Sequence, residues 1–382
     1  MTGVVLLGST GSIGRQTLEV IAAHRDRLSV VGLAAGRASD EFAAQLATWP
    51  GARAWCADAR PHDLARDRWA GGGLEELATM DGAELVVVAT TGMTALPAVL
   101  VALRSGRRVA LANKETLVTG GHLVERLLAD LGGDPIDRLR PIDSEHSAIW
   151  QCLAGERLEE VTRLVLTASG GPFRDRSAEE LEGVTPTEAL AHPTWRMGPK
   201  ITIDSATLVN KAFEAIEAKW LYRLPYDRIQ AVIHPQSVVH SFVEFTDGSY
   251  KAQLGLPDMR LPIQYALTYP QRLPSPARRA APEEWGALQF EPLEPGRFPA
   301  YDAVRAAAAA GGNRGTLLNA ADEAAVAAFL AGTIAFPRIA TVISDAVERW
   351  GDASEPELDG IVALDGEVRA ALSGELGLGG NA

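Results

Sequence analysis

Short apolar runs alternate with amphipathic stretches along the first 140 residues of the chain. The apolar runs lie at Val4–Leu7, Val30–Ala35, Leu85–Ala89 and Val109–Ala112. Continuous apolar runs of this kind are typical of strands buried on both faces, and helices fill the intervals between such strands. The pattern therefore predicts an α/β domain with a parallel sheet covered by helices.

The pattern changes near Arg138. The spacing then predicts a helix near Ala206–Tyr222 and a group of strands, at Val161–Thr167, Ile229–Ile233, Val238–Phe245 and Ser249–Leu254. A proline-dense stretch precedes Ala-rich helical segments at Ala303–Ala310 and Leu317–Leu330. We therefore expect an α/β domain over residues 1–140, an α+β domain over 141–269, a linker over 270–299 and a helical bundle over 300–382.

Composition narrows the class of protein. With 382 residues, 47% of them hydrophobic and 22% charged, the chain suits two or three globular domains. It has no apolar run near the roughly 20 residues that span a bilayer, and no signal peptide precedes Val4, so we expect a cytoplasmic protein. The two cysteines, Cys56 and Cys152, suit a reducing compartment and are expected to be buried thiols. The net charge of −13 disfavours nucleic acid and anionic membranes as partners.

Three glycines follow the first predicted strand and open a helix predicted at Arg15–His24. They are Gly8, Gly11 and Gly14, spaced as GxxGxxG. Glycine lets the backbone turn sharply and approach a pyrophosphate, whose charge then lies at the helix N-terminus. An ordinary strand-to-helix turn also accommodates such glycines. The surrounding βαβ pattern nevertheless favours a Rossmann-type dinucleotide site.

The second predicted strand ends in Gly36 and Arg37. A site specific for NAD usually places an acidic residue there to hold the ribose 2′-hydroxyl. A guanidinium suits a 2′-phosphate instead, so we expect NADPH, although a solvated surface arginine is the alternative.

Carboxylates occur in two segments that can hold a metal. Asp143 and Glu145 are two residues apart, and oxygen ligands favour Mg²⁺ or Mn²⁺. Glu214 lies four residues after Asn210 and three after Lys211, which places all three on one helix face. Solvated carboxylates and a surface Lys/Glu pair are the alternative interpretation.

Three further segments carry polar groups in loops. Ser169-Gly170-Gly171 follows a predicted strand and suits either a phosphate site or a tight turn. The proline-punctuated segment 183–200, which contains Trp195, is expected to be a lid or a packed loop. His234 lies at a strand end and is expected to be structural.

Seven ordered motifs resemble 1-deoxy-D-xylulose-5-phosphate reductoisomerases, and the resemblance runs from the first strand to about Leu261. The motifs are GSTGSIG at Gly8, LANKET at Leu111, PIDSEHSAIWQ at Pro141, TASGGPFR at Thr167, HPTWRMGPK at His192, IDSATLVNKAFEAIEAKWL at Ile203 and HPQSVVHSFVEF at His234.

This resemblance implies a homodimeric, NADPH-dependent oxidoreductase of the non-mevalonate isoprenoid pathway. Such an enzyme rearranges 1-deoxy-D-xylulose 5-phosphate and reduces it to 2-C-methyl-D-erythritol 4-phosphate with Mg²⁺ or Mn²⁺, Co²⁺ being a further candidate metal. The implied catalytic residues are Lys114, Asp143, Glu145 and Glu214, of which the last three are the metal ligands. The implied cofactor contacts are Thr10, Gly11, Ser12, Ile13, Gly36, Arg37, Asn113, Glu115 and Gly198. The implied substrate contacts are Lys114, Ser144, Glu145, Ser169, His192, Trp195, Met197, Ser205, Asn210 and Lys211.

One position departs from the family pattern, because Ala38 stands where members often carry a polar residue near the 2′-phosphate. Two other functions remain open on sequence grounds. A plain NADP-dependent, metal-assisted dehydrogenase and a non-catalytic dinucleotide sensor both use the same cofactor loop.

Overall fold

The computed structural model describes residues 1–193 and 197–378, and the chain divides into two compact units. The first unit comprises Met1–Thr116, Val124–Trp150 and Asp258–Arg279. The second comprises Leu117–Leu123, Gln151–Pro257 and Ala280–Ala382. Within the described ranges, no helix is both long and apolar enough to span a bilayer.

A six-stranded parallel sheet forms the centre of the first unit. Its strands are β1 (Thr2–Leu7), β2 (Leu28–Ala35), β3 (Arg53–Cys56), β4 (Leu85–Val88), β5 (Arg108–Leu111) and β6 (Leu139–Pro141). Their spatial order is β3-β2-β1-β4-β5-β6, which is the order of dinucleotide-binding domains. All four residues of β4 are buried, as its continuous apolar character requires.

A mixed five-stranded sheet lies in the second unit. Its strands are β7 (Val161–Ala168), β8 (Ile229–Ile233), β9 (Val239–Phe245), β10 (Tyr250–Leu254) and β11 (Glu291–Pro292). Their order is β10-β9-β7-β8-β11, and only β7 and β8 pair in parallel. Pro292 of β11 pairs with β8 at the sheet edge, so the proline-dense stretch contributes to this sheet.

Sixteen α-helices lie in the described ranges. They are α1 (Ser12–Ala23), α2 (Asp40–Thr48), α3 (Gly73–Thr79), α4 (Leu96–Arg104), α5 (Glu115–Leu131), α6 (Pro135–Arg138), α7 (Ser144–Leu153), α8 (Ala178–Leu181), α9 (Pro186–Ala189), α10 (Pro199–Thr207), α11 (Val209–Tyr222), α12 (Arg260–Thr268), α13 (Pro299–Ala310), α14 (Arg314–Leu330), α15 (Arg338–Trp350) and α16 (Leu358–Glu375).

A hydrophobic core joins the helices of the second unit. Phe213 of α11, Leu317 and Phe329 of α14, and Ile343 of α15 all belong to it. The Ala-rich segments therefore form packed helices, because small side chains let neighbouring helices approach closely.

Two expectations from the sequence need correction. The helix expected near Ala206–Tyr222 is two helices, since Leu208 adopts a left-handed φ of 58° between α10 and α11. The segment 183–200 is not wholly irregular, because α9 and the start of α10 lie within it.

The predicted α/β class is confirmed, and Cys56 and Cys152 are both buried, free thiols. Burial raises the pKa of the Cys152 thiol to about 11, against a smaller opposing effect of Lys251, so this thiol stays protonated at neutral pH. The division into four segments stays a prediction.

Candidate active site

In the glycine loop between β1 and α1, backbone segments approach each other so closely that a side chain would not fit at Gly8 or Gly14. A Cβ at Gly8, which has a φ of +91°, would lie 2.4 Å from the carbonyl oxygen of Ala89. A Cβ at Gly14 would lie 2.2 Å from the carbonyl oxygen of Gly8. Gly11 is the N-cap of α1 and has no side chain. No side-chain capping hydrogen bond therefore occupies the backbone N–H groups of the first helical turn. This geometry fits a bound pyrophosphate.

We expect Gly14→Ala to weaken NADPH binding by at least about tenfold, because helix α1 must move away from the loop to admit the methyl group. Titration of the protein with NADPH, followed by tryptophan fluorescence, measures the effect. Gly51→Ala is the control, since nothing lies within 4 Å of a Cβ there. Equal NADPH affinity in the Gly14 variant would contradict a pyrophosphate site at this loop.

The predicted contacts near the cofactor loop differ in exposure. Arg37 is exposed, and it forms no hydrogen bond or ion pair with any of the residues that the structure describes. Gly11, Ser12 and Gly36 are likewise exposed, whereas Thr10 and Ile13 are half-buried. The Arg37 guanidinium is thus available to an anion.

Asn113 and Glu115 shape the loop that follows β4. The buried Asn113 side chain donates to the carbonyl oxygens of Thr90 and Gly92, at 3.0 and 2.8 Å, and lies 2.8 Å from the carboxylate of Glu115. Glu115 also accepts from the backbone N–H of Gly92 at 3.2 Å. These two side chains therefore fix the conformation of residues 90–92.

A cationic and an anionic side chain meet where two parallel strands end. Lys114 follows β5, Asp143 follows β6, and the Lys114 ammonium forms an ion pair with the Asp143 carboxylate. His146 Nδ1 lies 3.1 Å from the same carboxylate and is fully buried. Burial alone would raise the pKa of Asp143, but Lys114 and His146 outweigh it and hold that pKa well below its usual range. Asp143 is therefore ionised and able to act as a metal ligand.

Glu145 lies in the first turn of α7. The Ser144 hydroxyl donates to its carboxylate at 2.5 Å, and the Ser144 N–H donates to Asp143 Oδ1 at 3.2 Å. Ser144 thus orients both carboxylates of the DxE segment.

A hydroxyl–imidazole–hydroxyl chain lies in the second unit. His192 Nε2 is 3.1 Å from Ser169 Oγ and 3.1 Å from Ser205 Oγ. Burial lowers the pKa of His192. A Cβ at Gly171 would lie 2.6 Å from the carbonyl oxygen of Ser205, so glycine is needed there for α10 to approach the loop after β7. Ser169, His192 and Ser205, three of the predicted substrate contacts, therefore contact one another, and their role in binding stays a prediction.

The first turns of α11 carry two further predicted substrate contacts, Asn210 and Lys211, and the predicted metal ligand Glu214. Asn210 Nδ2 donates to Glu214 Oε1 at 2.6 Å, and the Lys211 ammonium pairs with Glu214 Oε2. The side chains of Lys211 and Glu214 are 4% and 1% exposed, which contradicts the alternative of a solvated surface pair. The predicted metal ligands thus fall in both units: Asp143 and Glu145 in the first, Glu214 in the second.

Four predicted positions remain. Gly198 precedes α10 as its N-cap, and Met197 is half-buried. Trp195 lies outside the described residues, as does Arg196, so the lid stays a prediction. His234 is structural, because its Nε2 accepts from the N–H groups of Val238 and Val239.

His146 was not among the predicted site residues. Its spacing of three residues from Asp143, at the start of a helix, does indicate that the two side chains lie on one helix face.

Three protein-family models match the chain. They describe 1-deoxy-D-xylulose 5-phosphate reductoisomerase over residues 4–121, the C-terminal domain of that enzyme over 139–222, and a DXP reductoisomerase C-terminal domain over 254–371. The 1-deoxy-D-xylulose 5-phosphate reductoisomerase of Pelotomaculum thermopropionicum is 48% identical over 375 residues, covering 96% of each chain. The chain belongs to this reductoisomerase family.

Other reductoisomerases match this chain over nearly its whole length. The enzyme of Thermomicrobium roseum is 49% identical over 373 residues, covering 96% of each chain. The Zymomonas mobilis reductoisomerase, solved in complex with NADPH, has a TM-score of 0.89 at 38% identity and 98% coverage of both chains. A reductoisomerase solved with NADPH, fosmidomycin and magnesium has a TM-score of 0.88 at 34% identity and 99% coverage of both. The resemblance inferred from the seven motifs is confirmed and extends to the helical C-terminal part.

Proposed function

We propose that this chain rearranges 1-deoxy-D-xylulose 5-phosphate and reduces it with NADPH to 2-C-methyl-D-erythritol 4-phosphate, using a divalent metal. Two observations in a reductoisomerase-family chain support the proposal: Asp143 of the DxE segment is ionised beside Lys114, and a buried Lys211–Glu214 pair lies next to the half-buried Asn210. A non-catalytic sensor has no need of these buried charges, which are costly unless they serve a site.

The cofactor site is assigned to the first unit. The glycine loop and the first turn of α1 hold the pyrophosphate, with Thr10, Gly11, Ser12 and Ile13 as contacts. Gly36 and Arg37 hold the 2′-phosphate, and residues 90–92, fixed by Asn113 and Glu115, bound the site near the nicotinamide. Gly198 is a further cofactor contact by family resemblance.

The phosphate of the substrate is assigned to Ser169, His192, Ser205, Asn210 and Lys211. Two hydroxyls, an imidazole, an amide and an ammonium together supply enough donors for a phosphate dianion. Binding the phosphate away from the reacting carbons supplies free energy for orienting them, so these residues affect turnover as well as affinity. Trp195 and Met197 are substrate contacts by family resemblance.

The metal ligands are assigned to Asp143, Glu145 and Glu214. Their oxygen donors suit Mg²⁺ or Mn²⁺, with Co²⁺ as a further candidate. When bound, such an ion polarises the ketone and hydroxyl oxygens of the substrate as a Lewis acid.

The protein's own groups complete the chemistry. Lys114, held by Asp143, hydrogen-bonds the reacting oxygens and offsets their developing negative charge. Glu145, whose carboxylate Ser144 orients, accepts and returns a proton. The rearranged aldehyde then takes hydride from the nicotinamide.

Product structure tests this function most specifically. The protein is incubated with 1-deoxy-D-xylulose 5-phosphate, NADPH and Mg²⁺, and the carbon skeleton of the product is determined by ¹³C NMR. We expect the branched methylerythritol phosphate. An unbranched, reduced pentulose phosphate would identify a plain NADP-dependent dehydrogenase instead.

The cytoplasmic location and the homodimer belong to the same proposal. The location is supported by the match to bacterial reductoisomerases over nearly their full length, and the dimer is implied by the family resemblance. Sedimentation of the purified protein tests the dimer, and a monomer active in the same assay would contradict it.

Cofactor preference provides a separate prediction. Because the exposed Arg37 guanidinium is the group assigned to the 2′-phosphate, Arg37→Ala should weaken NADPH relative to NADH by about 1.5–3 kcal/mol. The ratio of kcat/KM for the two cofactors measures this. Arg104→Ala, which removes another exposed arginine at the end of α4, is the control. An unchanged ratio in the Arg37 variant would refute the assignment.

A further inference from the structure

One ammonium group contacts three helices of the second unit. Lys200, in the first turn of α10, places its Nζ 2.6 Å from Asp204 Oδ2 on the same helix. The same Nζ lies 2.7 Å from Asp322 Oδ2 on α14. It also lies 5.1 Å from the ring centroid of Phe213 on α11. We call Lys200, Asp204 and Asp322 the Lys200 brace.

The carboxylates of the brace are buried. The Asp204 side chain is 4% exposed and that of Asp322 is 0%, whereas Lys200 is 29% exposed. A carboxylate removed from water costs several kcal/mol unless a cation compensates it. The position of the Lys200 ammonium between the two carboxylates is therefore under a strong electrostatic constraint, which holds α10 against α14.

The brace touches residues that directly precede candidate site residues. Asp204 precedes Ser205, whose hydroxyl bonds with His192. Phe213 precedes Glu214, which pairs with Lys211. Successive residues of a helix point about 100° apart, so an inward contact at one residue fixes the direction of its neighbour. Rotation of α10 would therefore displace Ser205, and rotation of α11 would displace Lys211 and Glu214.

We propose that the Lys200 brace is a positioning unit for the phosphate-binding side chains Ser205, Asn210 and Lys211. This inference rests on the proposed function, since it assigns the brace to the phosphate site of that function. Through α14, the C-terminal helices then contribute to substrate recognition without contacting the substrate.

Inorganic phosphate is the probe for the first test. We expect Asp322→Asn to raise the dissociation constant of inorganic phosphate, measured by calorimetry, by roughly 3- to 30-fold. The KM for 1-deoxy-D-xylulose 5-phosphate should rise by a similar factor, while the dissociation constant of NADPH stays unchanged. Asp345→Asn is the matched control, because Asp345 pairs with Arg338 at an exposed position of α15. It should leave all three quantities unchanged.

Lys200 variants supply a second comparison that does not depend on the fold of the Asp322 variant. Lys200→Arg keeps a cation between the carboxylates and should retain most of the phosphate affinity, whereas Lys200→Met should lose it. A lowered melting temperature with wild-type phosphate affinity and KM in Asp322→Asn and Lys200→Met would overturn the proposal, because the brace would then be merely structural.

The failure of the brace and that of the proposed function are distinguishable. A wild-type protein that neither binds phosphate nor converts the pentulose phosphate overturns the proposed function. A wild-type protein that does both, with Asp322→Asn equal to it, overturns the brace alone.

Discussion

Glu214→Gln is expected to lower kcat by about 100-fold or more and to raise the Mg²⁺ concentration for half-maximal activity by at least about tenfold. The substitution keeps the shape of the side chain and the hydrogen bond available from Asn210. It removes the negative charge that attracts a divalent ion, and it leaves the buried Lys211 ammonium without that carboxylate. Steady-state kinetics across a Mg²⁺ titration, with calorimetry of metal binding, measures both effects.

Glu348→Gln is the control for this variant. Glu348 is exposed on α15, far along the chain from the predicted ligands, so the same change of charge should leave kinetics and metal binding as in the wild type. Wild-type metal affinity and turnover in Glu214→Gln would show that Glu214 only pairs with Lys211.

Lys114→Met is expected to lower kcat/KM for the pentulose phosphate by about 10²- to 10³-fold, the effect of removing one group that stabilises developing negative charge. The loss should persist at saturating Mg²⁺. The measurement is kcat/KM as a function of pH for wild type and variant. Lys251→Met is the control, because Lys251 pairs with Glu156 at a more exposed position.

The Lys114 variant should also shift the pH dependence of kcat/KM in a definite direction. The pKa of Asp143 is lowered in the folded protein, so its contribution to stability is present above the pKa of an unfolded aspartate and lost only as pH falls through the lowered value. Without Lys114 that folded pKa rises. The acid limb of the profile, and acid unfolding, should therefore move to higher pH in the variant. An unshifted acid limb together with wild-type kcat/KM would show that Lys114 serves neither charge stabilisation nor Asp143.

The strands that the sequence predicted correctly are the continuous apolar ones. Strand β4 reads Leu-Val-Val-Val and is buried throughout, so its hydrophobic pattern determines it. Strands β3 and β6 were missed because one has four residues, begins with Arg53 and alternates in burial, and the other has three residues and ends in Pro141. Such short segments become strands through pairing with β2 and β5, which is a tertiary effect.

In the candidate site, too, the sequence predicted contacts between residues close together in the chain and missed those between distant residues. The contacts among Asn210, Lys211 and Glu214 follow from helical spacing, so the sequence alone predicted them. The break at Leu208 was not predictable, because leucine rarely adopts a positive φ and only its packed surroundings stabilise it. The contact between Lys200 and Asp322 joins residues on helices far apart in the chain, and no spacing rule relates them.

Following NADPH absorbance with 1-deoxy-D-xylulose 5-phosphate, in the presence and absence of Mg²⁺ or Mn²⁺, tests the proposed reaction. The proposed function predicts NADPH oxidation that requires both the pentulose phosphate and the metal, stops on chelation with EDTA and resumes when the metal is restored. No oxidation under any of these metal conditions, or an equal rate in EDTA, would contradict it.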